Sequence, residues 1–181
     1  MKKLSLAVAV VVCFAVAFTV ESATKATGTL KVVSPGVALE LKMGDKPAPV
    51  PNGKELPMPA GTYTPFRITC GAQQAAGNGP PVLWTIKSVA SFGKLSQIIV
   101  ADGQLTNIEA GPPFTLKVGV SKPITTGGQP AVFISIAILG KSNESYAANT
   151  LMKGLSLAPP PQFRIVDDKG TVLAQGNFEY G

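Results

Sequence analysis

The chain has 181 residues, with 16 Lys+Arg, 10 Asp+Glu, two Cys and no His, for a formal charge of +6. Without His there is no Ser-His-Asp triad, no Cys-His dyad and no His-ligated metal site. Two cysteines make neither a zinc site nor a disulfide framework, and 14% charged residues are too few for a solvated disordered chain or a long charged coiled coil.

The first element is a leader. Lys2 and Lys3 form a short positive region, Leu4 to Val20 run apolar apart from Ser5 and Thr19, and small residues follow Glu21. That is the layout of a secretory signal peptide over residues 1–22, cut after Ser22. Ala23 and Ala26 are alternative cut points, and an uncleaved anchor is the alternative reading of the whole run. Cys13 lies inside the apolar run after Val12, which is not a lipoprotein context, so it leaves with the leader. An exported chain follows, secreted or periplasmic, in a setting read as bacterial, with no membrane span once the leader is removed.

Every Gly and Pro lies beyond the leader, where together they make up about a fifth of the chain and punctuate it without forming repeats. Alternation of period two is frequent, and no sustained helical period occurs. Val37, Leu39, Leu41 and Met43 share one face of a predicted strand, with Ala38, Glu40 and Lys42 on the other. Phe66, Ile68 and Cys70 alternate in the same way, which marks Cys70 as a core thiol. Residues 70–81 are Gly-rich but lack Gly-Lys-Ser/Thr, so they read as an exposed loop and not a phosphate cradle. Trp84, in phase with Val82 and Ile86, reads as core. Asp102-Gly103 between 98–101 and 104–106 predicts a type I′ hairpin.

Ala110-Gly111-Pro112-Pro113 is a candidate rigid linker between two units, 23–110 and 111–181, or a strand-entry kink within one domain. Phe114, Leu116, Val118 and Val120 predict a half-buried strand. Ala131 to Leu139, apolar on both faces apart from Ser135, predicts a central buried one. Asp167-Asp168-Lys169-Gly170 predicts a turn joining 163–166 to 171–174. Phe178 and Tyr180 continue the Val172, Ala174 face, tying the last strand into the sheet. The pattern as a whole predicts an all-β, antiparallel β-sandwich, as one domain or two small packed sandwiches.

Residues 27–69 resemble PEGA-type and carboxypeptidase-regulatory-like modules. The likeness rests on Ser34-Pro35-Gly36, the Gly44-Asp45 turn and Pro59-Ala60-Gly61-Thr62-Tyr63. The second half is similar to the Ig-like halves of secreted bacterial proteins that end in a Gly-x-Phe-Glu-Tyr-Gly strand. Both resemblances imply accessory, adhesive or envelope-associated modules without catalysis.

The residues agree with a non-enzyme. Beyond Glu21 of the leader, the acidic residues fall mostly in predicted turns or on solvent faces, which argues against a paired-carboxylate hydrolase. Ser91 and Lys94 have Ser-x-x-Lys spacing but lie among β signals, with no Lys-Thr-Gly. No Lys/Arg cluster is interleaved with aromatics, which argues against nucleic acid. No metal or cofactor site is expected. The expected function is an exported, non-catalytic binding or structural role at the cell envelope or outside the cell. Its partner would be an envelope polymer or another exported protein. The alternative is a carbohydrate- or peptidoglycan-binding accessory module, for which Tyr63 and Tyr146, both near turns, are the candidate ligand-binding residues.

Overall fold

A computed structural model describes residues 26–76, 79–121, 124–126 and 129–179. The expected leader, its cut site, Cys13 and Tyr180 lie outside the described residues. The first half forms β1 (Thr27–Val32), β2 (Val37–Met43), β3 (Lys46–Val50), β4 (Glu55–Pro59), β5 (Gly61–Tyr63), β6 (Pro65–Ala76), β7 (Gly79–Lys87), β8 (Ile98–Val100) and β9 (Leu105–Ile108). The second half forms β10 (Thr115–Val120), β11 (Ile124–Thr126), β12 (Gln129–Ala131), β13 (Ile134–Leu139) and β14 (Ser145–Tyr146). After these come β15 (Met152–Lys153), β16 (Ser156–Leu157), β17 (Gln162–Val166) and β18 (Val172–Asn177). Two single 3-10 turns, Gly93–Ser96 and Ala148–Thr150, are the helical elements among the described residues.

The fold is all-β. Its largest sheet has the order β16-β15-β7-β6-β2-β3, and smaller sheets have the orders β4-β1-β9 and β10-β13-β14. None closes into a barrel, and the arrangement is consistent with a β-sandwich. The core is built from Val37, Leu39 and Leu41 of β2, Ile68 and Cys70 of β6 and Ile86 of β7. Leu30 and Val32 of β1, Met58 of β4, Val100 of β8 and Ile108 of β9 join it. Each fully buried Leu, Ile or Val side chain contributes about 1.5–3 kcal/mol, so alternation along β1 and β2 alone fixes which faces turn inward. Most pairings are antiparallel, but β1 and β9 run parallel, with Leu30 opposite Thr106.

Several expectations are corrected. A register shift between Glu40 and Leu41, where β2 meets β6, breaks the alternation and turns Phe66 out to solvent. The Asp102-Gly103 turn does not make a hairpin: β8 pairs with β5 and β9 with β1. Only Gly103 takes positive φ there, so the backbone cannot adopt the double left-handed conformation of a type I′ turn. Residues 70–76 and 79–81, expected as a loop, belong to the β6–β7 pair. The strand expected to be central and buried over 131–139 is interrupted at Val132-Phe133, and β13 buries only Ile138.

The Ala110-Gly111 segment, read as either a linker or a strand-entry kink, packs inside the core. Ala110 is fully buried, Ile138 and Tyr146 join the first-half cluster, and β15 pairs with β7. The Asp167–Gly170 turn joins β17 to β18 as predicted. Asp167 Oδ1 accepts the N–H groups of Lys169 at 2.9 Å and Thr171 at 2.7 Å. These donors, Thr171 first, hold the Asp167 carboxyl below its usual range. The last strand, however, pairs with β17 alone and not with a larger sheet. Phe178 packs edge-on against Phe163, with centroids 5.5 Å apart.

Candidate interaction surface

The turn Lys141–Glu144 carries the most buried acid of the described chain. Glu144 is 0% exposed and has no ion pair among the described residues. Backbone and phenol donors satisfy it instead. Gly111 N–H donates to Oε1 at 2.6 Å, Tyr146 O–H donates to Oε1 at 2.9 Å, and Ser142 N–H donates to Oε2 at 2.8 Å. The Cys70 thiol in turn donates to the Tyr146 oxygen at 3.1 Å. Gly140 runs so close that an added Cβ would overlap the Glu144 carboxylate. This chain of donors joins β6, the 110–111 segment and the base of β13, so it fixes where the β10–β13 ribbon leaves the core.

Tyr146 is therefore not the exposed ligand contact expected of it: it is 4% exposed, and Phe114 meets its ring edge-on at 5.1 Å. Tyr63 is half-buried, and its hydroxyl donates to the Pro59 carbonyl at 2.7 Å. Trp84 shares the inward face with Ile86 but sits at the rim of the core, half-buried. Its Nε1 donates to Gln74 Oε1 at 2.8 Å, and Lys153 Nζ lies 5.5 Å from the ring. A shallow apolar hollow of about 80 Å³ lies beside Cys70, Trp84, Phe114 and Leu151.

Burial, helped by the Glu144 charge and opposed by the Tyr146 hydrogen bond, raises the Cys70 pKa above its ordinary 9.0. Burial first, then Cys70 and Glu144, raises that of Tyr146 above its ordinary 10.0. Each acid keeps its proton to higher pH in the fold than in the unfolded chain. The stabilisation is therefore whole below these ordinary values and is lost as pH rises through the folded ones. The urea midpoint is expected to fall as pH climbs above about 9. The fall should be shallower in a Cys70→Ala/Tyr146→Phe variant, and equal slopes would refute the role of this pair.

The surface that no buried network explains is the apolar side of the β10–β13 ribbon. Leu116, Val118 and Val120 are 60, 63 and 67% exposed, although their spacing predicted a half-buried strand. The register sets them opposite Ile138, Ile136 and Ile134. One face of the ribbon is thus a continuous apolar ladder, buried at Ile138 and increasingly wet outward. The opposite face carries Thr115, Lys117 and Gly119. The alternation was visible in the sequence, but its exposure was not, because exposure depends on what covers a face. Glu144 was passed over for the same reason: nothing local distinguishes it from a surface turn acid. Its i, i+2 spacing to Tyr146 was the one available signal.

Compared with family models, curated proteins and solved structures, the chain matches none.

Proposed function

We propose that this is an exported β-sandwich protein that acts by binding, without catalysis, and that the apolar face of the β10–β13 ribbon is its working surface. The observation that carries the reading is the row Leu116, Val118, Val120, apolar residues on one face of a strand that is exposed along its whole length. A contiguous apolar face held open to water costs solubility, and such faces mark interaction sites. Export rests on the Lys2-Lys3 start and the apolar run to Val20. The resemblance of residues 27–69 to PEGA-type modules and of the second half to Ig-like modules supports an accessory role at the envelope or outside the cell. The carbohydrate-binding alternative draws little support from its two tyrosines, one buried and the other held by Pro59.

Binding of 1-anilinonaphthalene-8-sulfonate tests the surface. The native protein should enhance the dye's fluorescence, and a Leu116→Ser/Val118→Ser/Val120→Ser variant should lose most of that enhancement while keeping its urea midpoint. Unchanged dye binding in the triple variant would overturn the reading.

A further inference from the structure

We infer that the occupant of this surface is a second copy of the same chain, paired antiparallel along β10 about a two-fold axis at Val118. The inference rests on the ribbon being a binding surface and names its partner. Three observations on β10 converge.

The first is the edge. In the sheet order β10-β13-β14, β10 is terminal and has no other strand partner among the described residues. Ser121 N–H donates to the Phe133 carbonyl at 2.8 Å, which sets the hydrogen-bonding phase of the ribbon. Counting back by two, Gly119, Lys117 and Thr115 turn their backbone groups toward β13. Leu116, Val118 and Val120 therefore present theirs to the free edge. The residues with exposed apolar side chains are the same ones that offer backbone donors and acceptors outward, the requirement for adding a strand.

The second is self-complementarity. A two-fold at Val118 sets Val118 against its own copy, Leu116 against Val120 and Thr115 against Ser121. Every apolar residue of the edge then meets an apolar residue on the same face, and the ladder continues across both copies.

The third is charge. Lys117 is the one charged residue of β10. In this register it lies opposite Gly119 of the other copy, which has no side chain to crowd or repel it. Moving the axis to Lys117 would set Lys117 against Lys117, which is destabilising. Slipping the register by one residue would put apolar side chains opposite polar ones on both faces. Of the axes along β10, Val118 alone pairs Leu116, Val118 and Val120 wholly among themselves, and it also avoids the like-charge contact.

Single cysteines placed in the full chain with Cys13→Ser read this register directly, since Cys70 is buried and the Cys13→Ser parent serves as background. Under mild oxidation Val118→Cys should cross-link to itself, because a cross-strand pair on the axis meets disulfide geometry. Val120→Cys should cross-link to itself on the order of tenfold less, because its partner is Leu116. A mixture of Leu116→Cys and Val120→Cys proteins should cross-link to each other. Sedimentation velocity should show a concentration-dependent dimer that Val118→Asp abolishes. Equal cross-linking of Val118→Cys and Val120→Cys overturns the register. A chain that stays monomeric at all concentrations overturns the proposal, as does one that instead floats with phosphatidylcholine–phosphatidylglycerol vesicles. Either of these last results would leave the dye-binding test, and so the reading of the surface, standing.

Discussion

Replacing Glu144 with alanine is expected to lower stability by about 4 kcal/mol, and replacing it with glutamine by about half as much. The difference follows from the hydrogen-bond partition. Oε1 accepts from both Gly111 and Tyr146, whereas Oε2 accepts from Ser142 alone. A glutamine amide can set its oxygen at the first position and keep two donors, leaving its NH₂ against the Ser142 N–H. Alanine orphans the buried Gly111 and Tyr146 donors and the half-buried Ser142 N–H, and each unsatisfied buried polar group costs about 1–3 kcal/mol. Because a protein of this size shifts its Tm by roughly 2–4 °C per kcal/mol, the alanine variant should melt some 8–16 °C lower. Thermal and urea unfolding of both variants are the measurement. An alanine variant within 1 kcal/mol of the parent, on the scale of a surface substitution, would show that Glu144 does not hold the base of the ribbon.

What the sequence disclosed and what it concealed divide along a physical line. Alternation reports faces, so the inward sets Val37-Leu39-Leu41 and Ile68-Cys70 were legible, as were the all-β class and the Asp167 turn. Alternation does not report cover. It predicted burial for Leu116, Val118 and Val120, yet in the fold no described layer lies over that face. It also placed Phe66 inward, because one bulge at Glu40/Leu41 resets the phase and leaves no local mark. Asp-Gly signalled a turn correctly, but not whether the strands it joins pair with each other, since that depends on β1 and β5 claiming β9 and β8 first. The site followed the same rule. Tyr146 was singled out for being near a turn, and it became interior because Glu144, Cys70 and Phe114 converge on it from three different parts of the chain. The contacts from Cys70 and Phe114 are long-range, and a single sequence does not spell them out.

Gly93→Ala should cost about 4 kcal/mol, roughly two to four times the ~1–2 kcal/mol expected for Gly170→Ala, although both positions hold positive φ. At Gly170 an added Cβ meets nothing within 4 Å, so only the left-handed backbone is penalised. At Gly93, where φ is +55°, the Cβ would also overlap the Ser142 carbonyl oxygen and the Asn143 carbonyl group. These are backbone atoms and cannot swing aside as a side chain tip can. They belong to the turn that presents Glu144, and that turn is seated on the 89–94 segment by backbone bonds. Lys94 N–H donates to the Ser142 oxygen at 2.8 Å, Ser145 N–H to the Ser91 oxygen at 2.8 Å, and Val89 N–H to the Ser145 oxygen at 2.9 Å. Pushing the turn away would break this seating and withdraw the carboxylate from Gly111 and Tyr146 together. The loss in a Gly93→Ala/Glu144→Ala double variant should therefore be smaller than the sum of the single losses, because the same docked turn can be lost only once. Urea unfolding of the four proteins in this cycle measures the coupling. Strict additivity, or equal costs at Gly93 and Gly170, would mean that the turn is not seated on Gly93. Glu144 would then be held by its hydrogen bonds alone.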